Sequence, residues 1–170
     1  MSLTMYQLTI PPILHGFDVL ADYVEKAAAF ARARQIDPET ILEAKLAPDM
    51  LPFIGQIQRA SDKSKGGVSR IAGVEAPKFD DNEESLTDLQ ARIAKTVYFL
   101  KNVPVEAFDG ADRRVISIKF RSVTGDFSGE RYLQSILLPD FYFHIATAHG
   151  ILRHLGLPIG KADYLGKLAP

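Results

Sequence analysis

Cysteine and tryptophan are both absent from these 170 residues. Without cysteine there are no disulfides, no thiolate catalysis and no Cys-ligated zinc, and a cytoplasmic setting is the natural expectation. Charge of either sign is also not in surplus: 20 Lys and Arg stand against 21 Asp and Glu, for a net charge of −1. A dedicated binder of nucleic acid or of an anionic membrane shows a basic patch, so neither partner is expected. No apolar run approaches the roughly 18 residues that a membrane span needs. The N-terminus lacks the basic stretch followed by an apolar one that marks a secretory signal. Neither an HExxH zinc signature nor a phosphate-cradling glycine loop occurs. What is there is an ordinary globular balance, 46% apolar and 24% charged. It suits a single domain over 1–170 with a substantial core.

The apolar residues that fill this core are spaced for helices. Ile13, Phe17, Leu20, Val24, Ala27 and Ala31 recur at alternating intervals of four and three, which predicts a long helix following Pro11-Pro12. Asp37-Pro38 predicts a capped short helix over about 38–45. Asp49 reads as the N-cap of a second long helix from about Met50 to Ala72, with the seam Phe53, Ile57, Ala60, Ser64, Val68 and Ile71. Its small residues Ser61, Ser64, Gly66 and Gly67 permit a close neighbour. Ser85 and Asp88 resemble a capping box ahead of a third seam, Leu86 to Leu100. The period then changes to two at Ile116, Ile118 and Phe120, which predicts a hairpin over about 113–128 with its turn at Thr124-Gly125-Asp126. Ser128 caps a helix over about 129–137, and Pro139 interrupts or kinks it before the last long helix. Residues 157–170 read as an irregular tail. The expected architecture is a mainly α four-helix bundle, with one short helix and a small hairpin inserted before the last long helix.

Three of the four histidines fall on that last helix. At about 100° per residue, His144 lies inside the apolar stripe of Phe141, Ala148, Ile151 and Leu155, and Asp140 borders it one turn earlier. A carboxylate and an imidazole facing a core need a partner, a proton arrangement or a metal. His149 and His154 fall on the flanks, as exposed or interfacial residues. Asp62 and Lys65 read as a solvated ion pair or as contacts for a substrate, and Arg70, Arg92 and Lys95 as surface charges. Part of the aromatic run Phe141-Tyr142-Phe143 faces away from the core and suits an interface between subunits.

The ending Leu152-Arg153-His154-Leu155-Gly156 resembles that of the DinB/YfiT-like bundles, many of which hold a metal between helices. The runs Leu46-Ala47-Pro48-Asp49-Met50, Gln56-Ile57-Gln58, Asp62-Lys63-Ser64-Lys65-Gly66, Leu89 to Thr96 and Phe143-His144-Ile145 are similar to an uncharacterised bacterial family, domain of unknown function 1993. The resemblance implies a DinB-like four-helix bundle and a homodimer. It puts His144 and Asp140 at the last two metal-ligand positions and Asp49 near the first; His15, just inside the first helix and off its seam, is a fourth candidate from its position alone. Two carboxylates and one imidazole shift preference away from zinc toward Mn, Fe or Mg; the candidate divalent ions are Mn, Fe, Ni and Zn. Two functions follow. One is a divalent-metal-dependent transferase or hydrolase acting on a small-molecule substrate. The other is a non-catalytic, metal-free dimeric bundle, in which His144 bonds Asp140 or Asp49 and the polar core only fixes the packing.

Overall fold

In the computed structural model, which describes residues 3–120 and 123–167, the chain forms helix α1 (Met5–Arg34), the short α2 (Pro38–Leu42), α3 (Phe53–Ala72), α4 (Leu86–Lys101), a 3-10 turn (Val105–Phe108), strands β1 (Val115–Lys119) and β2 (Thr124–Ser128), α5 (Gly129–Tyr132), a π-helical segment (Leu133–Leu137), α6 (Leu138–His154) and α7 (Lys161–Leu165). Helix α3 packs on α4 and α6, and α1 packs on the same two, so the four long helices form a closed ring around one core. Every seam residue named for α1 and α3 is buried, as are Leu86, Leu89, Ile93 and Leu100 of α4.

Two helix starts differ from the expectation. Helix α1 begins six residues before Pro11, because Thr4 and Gln7 form a reciprocal cap: the Gln7 N–H donates to Thr4 Oγ1 at 3.2 Å, and the Thr4 N–H donates to Gln7 Oε1 at 2.9 Å. Pro11 and Pro12 therefore lie within the helix and leave the Gln7 and Leu8 carbonyls without their usual donors. Burial of Met5 and Ile10 favours the extra turns. Helix α3 begins at Phe53, with Pro52 at the N-cap position, so Asp49 caps nothing; it stands exposed in the turn before the helix.

Strands β1 and β2 pair antiparallel, Val115 with Ser128 through Lys119 with Thr124. Thr124-Gly125-Asp126 is thus strand rather than turn; residues 121–122 lie outside the described residues. Ile116 and Ile118 are buried while Phe120, past the strand end, is 41% exposed. Ser128 caps the next helix as expected, accepting from the Arg131 N–H at 3.3 Å. That helix does not end at Pro139. A π-helical segment precedes the proline, with the Leu138 N–H donating to the Leu133 carbonyl, and the helical path runs on from Gly129 to His154.

Gly67 lets this turn cross α3: a Cβ there would stand 2.3 Å from Leu137 Cδ1. Gly16 does the same for α1 against Phe141 and Ile145. Part of the expected irregular tail forms α7, which folds back on α1; there Lys26 bridges Asp22 and Asp163 at 2.6 and 2.5 Å.

Candidate functional site

The periodicity of α6 turns His144 inward, where it is 7% exposed. Its Nδ1 lies 2.8 Å from Gln56 Oε1, on the first turn of α3. The Gln56 amide nitrogen donates to the Leu51 carbonyl at 2.9 Å, which leaves its oxygen to accept from the histidine ring. On the other edge of the ring, Nε2 lies 3.4 Å from Asp140 Oδ1 one turn earlier. Asp140 Oδ2 takes the Lys63 ammonium at 2.8 Å. Both ring nitrogens therefore face oxygens, and the ring can donate to both only as imidazolium. The His144 ring, with the Lys63 ammonium behind it, holds the Asp140 carboxyl below the usual carboxylate range. Lys63 also lies 5.3 Å from the Phe120 ring centroid, which ties the hairpin end to this chain of contacts.

The structure brings Asp140 and His144 together and leaves Asp49 apart, on the exposed turn after α2. Among the described residues no three His, Asp or Glu side chains lie close enough to hold one ion. The position on α3 that meets His144 belongs to Gln56, two helical turns beyond Asp49. A Gln amide is a weak ligand, and this one faces the Nδ1 edge, away from Asp140. The donor set does not fit a divalent ion: Asp140 and His144 supply two donors between them, and an ammonium occupies the carboxylate's second oxygen. A signal for Gln56 was present in the sequence, since it stands three residues after Phe53 and four before Ala60, on the buried face.

His15 and His149 are structural in their contacts. His15 Nε2 donates to the Leu165 carbonyl at 2.8 Å, tying α7 to α1. His149 Nδ1 shares a hydrogen bond with the Tyr23 hydroxyl at 2.7 Å, and burial lowers the His149 pKa. His154 is exposed, as expected.

A second polar cluster escaped the sequence reading. Arg92, expected on the surface, is 2% exposed. Its guanidinium donates to Glu83 at 2.9 Å, Asp62 at 2.8 Å and the Asp80 carbonyl at 3.1 Å, and pairs with Asp81 at 3.0 Å. Burial opposes the charge of both Arg92 and Glu83. For Arg92, the surrounding carboxylates outweigh it; for Glu83, hydrogen bonds from Gln58 and Arg92 do so. Lys65 is also buried; it reaches Asp62 at 3.3 Å and the Pro77 carbonyl at 3.2 Å, and lies 3.5 Å from the Phe79 ring centroid. Together these cations hold the connection between α3 and α4 against the bundle. The helical offset was the available clue: Leu89, Arg92, Ile93, Thr96 and Leu100 share one stripe.

Residues 5–165 match the family described as Domain of unknown function (DUF1993). A crystal structure of a DinB family member protein from Shewanella denitrificans superposes with a TM-score of 0.90 and 36% sequence identity, covering 98% of this chain and 96% of that one. No curated protein matches the chain.

Proposed function

Because the chain belongs to the DUF1993 family of DinB-like bundles, we propose that it is a non-catalytic, metal-free member that acts as a homodimer, with the Gln56–His144–Asp140–Lys63 chain as a structural polar core. One observation carries this reading: His144 Nδ1 is hydrogen-bonded to Gln56, Nε2 is turned toward Asp140, and the second oxygen of Asp140 is held by Lys63. A catalytic base needs a nitrogen free to reach substrate, and a metal ligand needs a lone pair aimed at a shared point with further donors. In this ring Nδ1 is taken by Gln56, and Nε2 is turned onto a carboxylate that is already paired with an ammonium. Partnered polar groups between packed helices fix their register, and here they join α3 to the first two turns of α6.

The test is metal analysis of tag-free protein together with thermal melting in the presence and absence of a chelator. The expected result is no stoichiometric metal, and a melting temperature unchanged by chelator or by added Mn, Fe, Ni or Zn. A stoichiometric ion that disappears in His144→Ala would overturn the reading and restore the metal-dependent transferase or hydrolase, because an ion bound to the native state alone must raise its stability.

A further inference from the structure

Outside the polar core, the outer face of α4 and the segment 75–79 enclose a groove of ≈ 1030 Å³. Its walls are mostly apolar, with Pro77, Phe79 and Phe99 among them. One wall is pre-set. The buried Lys65 holds it at two points, the Pro77 carbonyl at 3.2 Å and the Phe79 ring at 3.5 Å from its centroid. A surface fixed in advance loses little freedom when a partner covers it. The groove is open along its length, whereas a small ligand needs to be largely enclosed.

Two features show what shape covers it. Tyr98, on the same face, stands 73% exposed beside the hollow. The patch therefore carries a projecting aromatic ring and an aromatic-walled recess together. The lining also carries charge of both signs, Glu75 against Lys78 and Lys95, and none of the three makes an ion pair among the described residues. A two-fold interface uses one patch twice, so that patch must complement itself in shape and in charge.

We propose that this groove is the face through which a second copy of the chain docks, the Tyr98 ring of each protomer entering the recess of the other and Glu75 of each facing Lys78 and Lys95 of the other. This rests on the homodimer reading and assigns it a surface on α4 in place of the aromatic run 141–143, of which Phe141 is fully buried and Phe143 alone is largely exposed. An aromatic anchor in a recess is what dominates the energetics of most interfaces. A small amphipathic anion would use the lysines but leave Glu75 and the projecting Tyr98 without a role.

The experiment is light scattering and sedimentation velocity of the full chain at about 5 to 200 micromolar, with circular-dichroism melting to show that each variant is folded. Wild type is expected to be dimeric. Tyr98→Ala should weaken the dimer by tenfold or more, in line with loss of an interface anchor, as should Glu75→Lys, which places three lysines on each patch. Adding Lys78→Glu and Lys95→Glu to Glu75→Lys reverses every charge and should bring the dimer back. A monomeric wild type overturns both the homodimer and its face. A wild-type dimer that tolerates Tyr98→Ala and Glu75→Lys, or a folded charge-reversed chain that stays monomeric, overturns the face and leaves the homodimer standing. A monomer whose uptake of the probe anilinonaphthalene sulfonate falls in Tyr98→Ala gives the groove to a small amphipathic anion, and also overturns the proposal.

Discussion

Nδ1 of His144 and Oε1 of Gln56 lie 2.8 Å apart across 88 residues of sequence, joining the last long helix of the bundle to the second. Removing either side chain leaves the other with an unmet donor or acceptor in the core, at a cost of about 1–3 kcal/mol. His144→Ala and Gln56→Ala should each destabilise by that amount in urea denaturation. The double variant should lose less than the sum, with a coupling of about 0.5 kcal/mol or more. Strict additivity would show that the bond contributes nothing.

Asp140 makes part of the stability depend on pH. Its folded pKa is depressed, first by His144 and then by Lys63, so its contribution is fully present above the unfolded value near 3.9 and is lost as pH falls through the folded one. Denaturation midpoints should therefore drop as pH falls below about 4, and Asp140→Asn should make that fall shallower. Glu83, also depressed, keeps some acid sensitivity in the variant. Identical acid profiles for wild type and variant would contradict the ion pair.

Arg92 is the side chain whose loss should be felt most widely. Arg92→Leu leaves Glu83, whose side chain is 8% exposed, without its cation. Breaking a buried pair from one side costs about 3–5 kcal/mol. Hydrogen exchange should accelerate first in residues 75–84, which the guanidinium holds. Arg92→Lys should recover only part of the loss, because a point charge cannot reach partners arranged around a planar fork. A loss below about 1 kcal/mol in Arg92→Leu would place the network on the solvated surface.

Gly129 should tolerate no side chain. An added Cβ would lie 1.9 Å from the Ala111 carbonyl oxygen, a backbone atom that cannot step aside. Gly129→Ala is expected to cost on the order of 3 kcal/mol or more. The comparison is Gly150→Ala, where the nearest atom is the end of the exposed Leu46 side chain at 3.2 Å. That change should fall within about 1 kcal/mol of wild type, since alanine favours the helix by roughly that much. Equal losses at the two sites would show that the turn at Ala111 yields.

Hydrophobic spacing by itself determined the four long helices and which face of each is buried, because a period of 3.6 or of 2 is a local property of the chain. It also determined the Ser128 cap and the pairing of Asp140 with His144, both of which involve neighbours a turn apart. Only the tertiary structure decided the rest. Pro11 and Pro12 stay helical because burial of Met5 and Ile10 against the bundle outweighs the missing donors, although the Thr4–Gln7 cap that starts the helix is itself local. Gln56 rather than Asp49 meets His144, since a shift of three residues in where α3 begins leaves Asp49 outside the helix and is invisible to its period. Arg92 goes inside because its partners come from α3 and from the segment before α4, and no local pattern records which distant carboxylates the fold will bring to a buried charge.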